Sequence, residues 1–75
     1  MNKTVDTLLV ETQMIALFNY REQLQKQYDK LKMSDRKIEL RDEIITVNSV
    51  CEVMFDANPE LLANWKNLYK TKFEQ

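Results

Sequence analysis

The sequence predicts an all-α protein: a long antiparallel helical hairpin with a shorter third helix packed at its open end, forming a three-helix bundle able to dimerise. Glycine is absent and proline occurs once, at Pro59, whereas the turns of a sheet protein draw heavily on both residues. Apolar residues recur at helical spacing along the whole chain. Two short breaks divide residues 1–75, read as a single domain, into three helical segments.

The first predicted helix runs from about residue 3 to residue 31. Its apolar residues follow alternating steps of three and four, which is a heptad pattern and places them on one stripe of a helix. This stripe consists of Val10, Met14, Leu17, Leu24, Tyr28 and Leu31. Arg21 occupies the single polar position of the stripe. A second stripe, made by Leu8, Ile15 and Phe18, flanks it in the first half of the helix only.

The second predicted helix covers about residues 35–56. Ser34 is a favourable N-cap because its hydroxyl can accept a hydrogen bond from a free amide of the first turn, and Asp35 suits the positive end of the helix dipole. The apolar stripe again follows heptad spacing. It consists of Leu40, Ile44, Val47, Cys51 and Met54, with Ile38, Ile45, Val50, Val53 and Phe55 widening it.

The third predicted helix covers about residues 59–73. Asn58 is a favoured N-cap, and Pro59 would stand at the first helical position, where its missing N–H costs nothing. Two adjacent apolar stripes follow, Leu61-Trp65-Leu68 and Leu62-Tyr69-Phe73. Because this helix starts at the open end of the hairpin, it can turn back and cover the wider apolar surface there.

Composition narrows the chemistry available to the chain. One cysteine and no histidine exclude an intramolecular disulfide and the usual zinc ligand sets. The net charge of −1 and a pI near 5.4 are unlike those of a strongly basic nucleic-acid-binding protein. No apolar run reaches membrane-spanning length, and the first residues lack the features of a secretion signal. We therefore expect a cytoplasmic protein without membrane insertion, metal or cofactor.

The sequence does not indicate an enzyme. Cys51 lies inside an apolar stripe and has no histidine to act as its base, so a small buried side chain is the simpler interpretation. The carboxylates do not converge with other ligands in any readable pattern. Catalytic, cofactor-binding and metal-binding residues are all expected to be absent.

The surplus of apolar stripes favours a small protein-binding regulator, adaptor or inhibitor that docks an apolar helical face on a partner. By analogy with short single-domain phage proteins, the partner would be a host or defence protein. The partner is another protein, a second copy in a homodimer or higher oligomer, or both. The expected interface consists of Leu8, Ile15, Phe18, Leu62, Trp65, Tyr69 and Phe73.

Two alternatives remain open. The chain could form a homo-oligomer that binds a small ligand, such as a signalling nucleotide, between subunits; the residues to test are Tyr20, Arg21, Lys26 and Tyr28. It could also bind nucleic acid at the basic hairpin tip, although acidic residues in the same stretch reduce the field that phosphates require. For Arg21 the sequence allows two arrangements: a head group reaching water, or pairing with Glu43 or a partner's carboxylate.

Overall fold

The computed structural model describes residues 4–73 and consists of three α-helices: α1 (Val5–Lys30), α2 (Asp35–Ala57) and α3 (Ala63–Phe73). α1 and α2 form a long antiparallel hairpin, and the shorter α3 packs back on its open end. The molecule is elongated, with principal extents of 48 × 21 × 16 Å. The predicted all-α hairpin with a third helix is therefore confirmed. Residue 3, the predicted start of the first helix, lies outside the described residues.

Local hydrogen bonds explain where the two long helices begin. The hydroxyl oxygen of Thr4 accepts from the backbone N–H of Thr7 at 3.1 Å, and that of Ser34 accepts from Lys37 at 3.3 Å. Each satisfies one of the amides that a helix start leaves free. Ser34 is thus the N-cap that the sequence predicted. α1 ends at Lys30, and Leu31 follows in extended conformation.

The start of α3 differs from the prediction. The side-chain amide of Asn58 donates to the carbonyl of Met54 at 3.1 Å, so Asn58 caps the end of α2 instead of starting the next helix. The Pro59–Leu62 segment forms turns, in which the N–H of Leu62 donates to the carbonyl of Asn58 at 3.0 Å. The regular helix begins only at Ala63. The backbone N–H of Asn58 also donates to the carbonyl of Met54, at 3.0 Å. Asn58 is a favourable residue at either end of a helix, and here it satisfies a free carbonyl at the end of α2.

The core follows the predicted stripes of the hairpin. Met14 and Leu24 of α1 are buried, and so are Leu40, Ile44, Val47 and Cys51 of α2. At the open end Phe18, Phe55, Leu62 and Tyr69 complete this core. Burial of side chains of this size stabilises a fold by about 1.5–3 kcal/mol each relative to exposure. Among residues 4–73, no helix is both long and apolar enough to cross a bilayer.

Candidate functional site: an uncovered groove and a buried arginine

Aromatic rings attach α3 to the hairpin. Phe18 of α1 lies at the centre, with ring centroids 5.2 Å from Trp65, 5.3 Å from Phe73 and 6.3 Å from Tyr69. Tyr69 also contacts Phe55 of α2 at 5.5 Å. Most of these pairs meet edge to face, which is the favourable arrangement for aromatic quadrupoles. These contacts use the aromatic side chains of α3 within the monomer.

This packing reduces the apolar surface that the expected interface residues expose to a partner. Phe18, Leu62 and Tyr69 are buried in the core, and Trp65 and Phe73 are half-buried against Phe18. In this arrangement they hold α3 in place and present little apolar surface. Leu8 and Ile15 remain about half exposed. Of the seven residues, the structure therefore leaves only the two from the first half of α1 largely accessible.

Other apolar residues are exposed on the opposite side of the hairpin. Each residue of a helix is rotated by about 100° from the previous one, so Leu9 and Tyr20 point roughly half a turn away from Phe18. Val53 likewise points roughly half a turn away from Phe55, the residue of α2 that contacts Tyr69 of α3. Leu9 is 56% exposed and Val53 is 67% exposed. The hairpin is thus covered by α3 on one side only.

A groove between α1 and α2 runs along this uncovered side. A depression of about 260 Å³ lies at its end nearer the tip, lined by Tyr20 from α1 and by Asp42, Glu43, Thr46 and Val47 from α2. Toward the open end, exposed Leu9, Val50 and Val53 border the same side. We call the surface formed by Leu9 and Tyr20 of α1 and by Thr46, Val50 and Val53 of α2 the open groove.

Charge is distributed unevenly around the open groove. Neither Thr4–Tyr20 nor Asp42–Trp65 contains a lysine or arginine. The acidic residues of these two stretches are Asp6, Glu11, Asp42, Glu43, Glu52, Asp56 and Glu60. The basic residues are concentrated in the hairpin tip and in α3. Of these acidic residues, Asp42 and Glu43 line the groove, and no basic side chain lines its depression. Glu52 and Asp56 instead line a cleft with Lys66 and Lys70 on the α3 side.

Arg21 is buried to 7% exposure, although it occupies a stripe of apolar residues. Its Nε donates to Oδ1 of Asn48 at 2.9 Å, and its Nη1 donates to Oε1 of Gln25 at 2.9 Å. Its guanidinium carbon lies 4.6 Å from the centroid of the Phe73 ring. The head group thus neither reaches freely into water nor pairs with Glu43, so these two expected arrangements are wrong. Pairing with a partner's carboxylate stays a prediction. Burial lowers the pKa of Arg21 from its usual value.

The other residues proposed for a ligand site lie apart. Tyr20 borders the open groove on the side away from α3. Tyr28 is half-buried near the tip, where the Nζ atom of Lys37 lies 4.5 Å from its ring centroid. Lys26 shares a cleft with Arg21 at the end of α3. The structure therefore brings together Arg21 and Lys26 and separates them from the two tyrosines.

The basic residues of the tip are interspersed with acidic partners. The Nη1 atom of Arg36 lies 3.2 Å from Oε2 of Glu39 and 3.9 Å from Oε1 of Glu43. The Nε atom of Arg41 lies 3.9 Å from Oδ1 of Asp42. All three are exposed pairs, which contribute little stability. They do, however, reduce the local positive field that phosphate binding depends on.

No protein-family model, curated protein or solved structure matches this chain.

Sequence reasoning missed the open groove as a site. Val50 and Val53 were recognised as widening the apolar face of the second helix, but which side of the hairpin α3 covers depends on contacts distant in sequence. A signal was present in the charges, because residues 4–20 and 42–65 contain no lysine or arginine. Together with the surplus of apolar residues, this pattern indicates an apolar surface without positive charge.

Cys51 is 1% exposed, and burial raises the pKa of its thiol above the usual value. We expect native Cys51 to react with iodoacetamide at least about a hundredfold more slowly than the urea-unfolded chain, since opening the core costs a few kcal/mol. Mass spectrometry of timed samples measures this rate. As a control, Ser49→Cys combined with Cys51→Ala places a thiol at an exposed position of the same helix and should react quickly. Comparable rates for the two thiols would contradict burial.

The raised pKa also has a consequence for stability. The unfolded chain loses the thiol proton first as pH rises, so between the unfolded and the folded pKa the native state binds more protons. The contribution of Cys51 is fully present below the unfolded pKa and is lost as pH rises through the folded pKa. Cys51→Ala should remove this alkaline loss in urea titrations at successive pH values.

Proposed function

We propose that this protein is a small protein-binding regulator that receives a helix of a partner protein in its open groove. The observation that carries the proposal is the exposure of Leu9 and Val53 on the side of the hairpin that α3 leaves uncovered. A helix laid along two others buries such side chains in the manner of a four-helix bundle. In this proposal the groove replaces Phe18 and the aromatic residues of α3 as the docking surface, because those side chains pack against one another within the chain.

The charges around the groove define the chemistry of the partner. The depression of the groove is lined by the carboxylates of Asp42 and Glu43 and by no basic side chain. Their ion pairs with Arg41 and Arg36 are exposed and 3.9 Å long, so a helix with lysine or arginine beside its apolar stripe is complementary. An acidic helix of equal apolarity would be repelled. We infer a basic amphipathic helix as the occupant.

A second copy of the chain is the competing occupant. Pairing two open grooves face to face, with both tips at the same end, would bring Asp42 and Glu43 of one copy against those of the other, and no basic side chain lines either depression. Pairing with the two tips at opposite ends would place the charged tip of one copy against the apolar groove of the other. Both arrangements are less favourable than a basic helix.

The proposal can be tested with two synthetic helical peptides that share the same leucine stripe and differ only in flanking lysines or glutamates. We expect the basic peptide to bind and the acidic one not to bind, with affinity falling as salt rises. Leu9→Lys and Val53→Lys should each weaken binding by about tenfold or more, because each removes an apolar anchor and adds a repulsive charge.

Met33→Lys is the matched control. Met33 is an exposed apolar residue at the hairpin turn, far from the groove, and its replacement adds the same charge. It should leave binding nearly unchanged. Equal loss in all three variants would show that only net charge matters. A stable dimer by light scattering that Val53→Lys dissociates would assign the groove to a second copy instead.

A further inference from the structure

A cleft on the side of α1 opposite the open groove combines positive charge with a buried arginine. It has a volume of about 470 Å³ and lies between α1 and the end of α3. Its lining residues come from one stretch of α1 and from the last residues that the structure describes: Arg21, Glu22, Gln25, Lys26, Lys72 and Phe73. Three of these side chains are cationic and one is a carboxylate, which leaves an excess of two positive charges.

Arg21 is the unusual member of this set. Its recorded hydrogen-bond partners are the amide oxygens of Asn48 and Gln25, and a phenylalanine ring stacks on its head group. Within residues 4–73 no carboxylate forms an ion pair with it. The nearest link to an acid is indirect, through Gln25, whose Nε2 donates to Oδ1 of Asp29 at 2.8 Å.

A buried cation that no carboxylate contacts directly is only partly compensated, because Asp29 acts on Arg21 from a longer distance and neutral acceptors repay desolvation incompletely. The lowered pKa of Arg21 reflects the same desolvation. Nε and Nη1 are engaged, and a guanidinium carries five N–H donors in a planar fork, so donors remain for a further acceptor. An anion in the cleft would supply the missing charge and accept these hydrogen bonds.

We propose that this cleft binds a phosphate-bearing anion, held by Arg21 and Lys26 with Lys72 at its border. A phosphate monoester carries a charge of about −1.5 to −2 at neutral pH, which matches the excess charge of the cleft. Arginine binds phosphate through paired N–H donors, and lysine adds a mobile point charge. Lys72 already pairs with Glu22, so its contribution is smaller than that of Lys26. The ring of Phe73 supplies an apolar wall for the group that carries the phosphate.

The site differs from both the open groove and an inter-subunit site. It lies on the α3 side of the hairpin, uses residues of one chain, and excludes Tyr20 and Tyr28. It therefore stands independently of the proposed docking of a helix.

The test is a titration of the full chain with inorganic phosphate, pyrophosphate and sodium chloride at matched ionic strength, followed by ¹H–¹⁵N NMR. We expect saturable shifts of the Arg21 Nε–H and of the Gln25 and Phe73 amides with the phosphates, tighter for pyrophosphate, and none with chloride. Lys26→Gln should weaken binding by about tenfold, while Lys32→Gln, which removes the same charge at the tip, should not.

The outcomes distinguish a site from a general charge effect. Shifts that do not saturate, that occur equally with chloride, or that weaken equally in Lys26→Gln and Lys32→Gln would overturn the proposal. Lys26 is exposed and has no structural contact comparable to that of Arg21, so its replacement leaves a folded protein. In that folded protein a negative result is decisive.

Discussion

Replacing Phe18 with alanine is expected to lower the free energy of unfolding by about 3–5 kcal/mol and to detach α3 from the hairpin. Phe18 is buried and contacts the rings of Trp65, Tyr69 and Phe73. Its removal leaves a cavity and ends all three contacts at once. A single core of this size supplies only about 3–5 kcal/mol of net stability, so the variant should retain little of it and a substantial fraction should be unfolded at room temperature.

Two signals can follow this loss separately. Trp65 is the only tryptophan, and its fluorescence reports the docking of α3, while far-ultraviolet circular dichroism reports helix content. Tyr20→Ala is the control, because it removes an exposed aromatic residue from the same helix and should cost less than about 1 kcal/mol. Native Trp65 emission and an unchanged urea midpoint in Phe18→Ala would mean that α3 is held by other contacts.

The second large effect concerns the buried polar contact between α1 and α2. Asn48→Leu removes the acceptor of the Arg21 Nε–H and should cost about 1–3 kcal/mol, because a buried donor of a charged group is left unsatisfied. Arg21→Met combined with Asn48→Leu replaces the polar pair by apolar side chains of similar size. We expect the double variant to recover most of the loss, since apolar replacement of buried polar partners is often neutral or stabilising.

A double-mutant cycle with Arg21→Met and Asn48→Leu measures this coupling by urea denaturation. Coupled partners of this kind interact by about 0.5–3 kcal/mol. Asn19→Leu is the control, as it places the same side chain at an exposed position of α1 and should change stability by less than about 0.5 kcal/mol. Strictly additive losses for Arg21 and Asn48 would show that their contact adds nothing specific to the hairpin.

The two experiments also separate stability from binding. Phe18 and Asn48 do not belong to the open groove, so their effects on peptide binding should follow the fraction of folded protein. Leu9→Lys and Val53→Lys alter exposed positions and should leave the urea midpoint nearly unchanged. A variant that loses peptide affinity at unchanged stability therefore identifies the docking surface.

How far the sequence determined the fold can be seen at particular residues. Heptad spacing identified the buried positions from Met14 to Leu24 and from Leu40 to Cys51, because side-chain direction in a helix follows from residue spacing alone. Ser34 was recognised as a cap because its partner, Lys37, lies three residues away. Leu61 and Leu62 were assigned to helical stripes, although both precede the first residue of α3.

The candidate sites were less accessible from the sequence. Arg21 was recognised as unusual, but its acceptor Asn48 lies 27 residues further along the chain. The clustering of Arg21 with Lys72 and Phe73 likewise requires α3 to be in place. Periodicity alone could not show whether Phe18 faced a partner or α3.

Residue spacing and local capping were sufficient to predict the helical class, the two apolar stripes that form the hairpin seam, and the start of the second helix. These features depend on residues within one or two turns of each other, whose relative positions are set by the helix geometry. The packing of the three helices was needed to show which side of the hairpin α3 covers, where α3 begins, and which groups contact the Arg21 guanidinium. The covered side and the partners of Arg21 depend on contacts between residues distant in sequence: Phe18 and Phe55 with the rings of α3, and Asn48 with Arg21. The late start of α3 follows from Asn58, whose side chain donates to Met54 at the end of α2. The open groove is formed by exposed apolar residues, among them Leu9 and Val53, on the side of the hairpin that α3 does not cover.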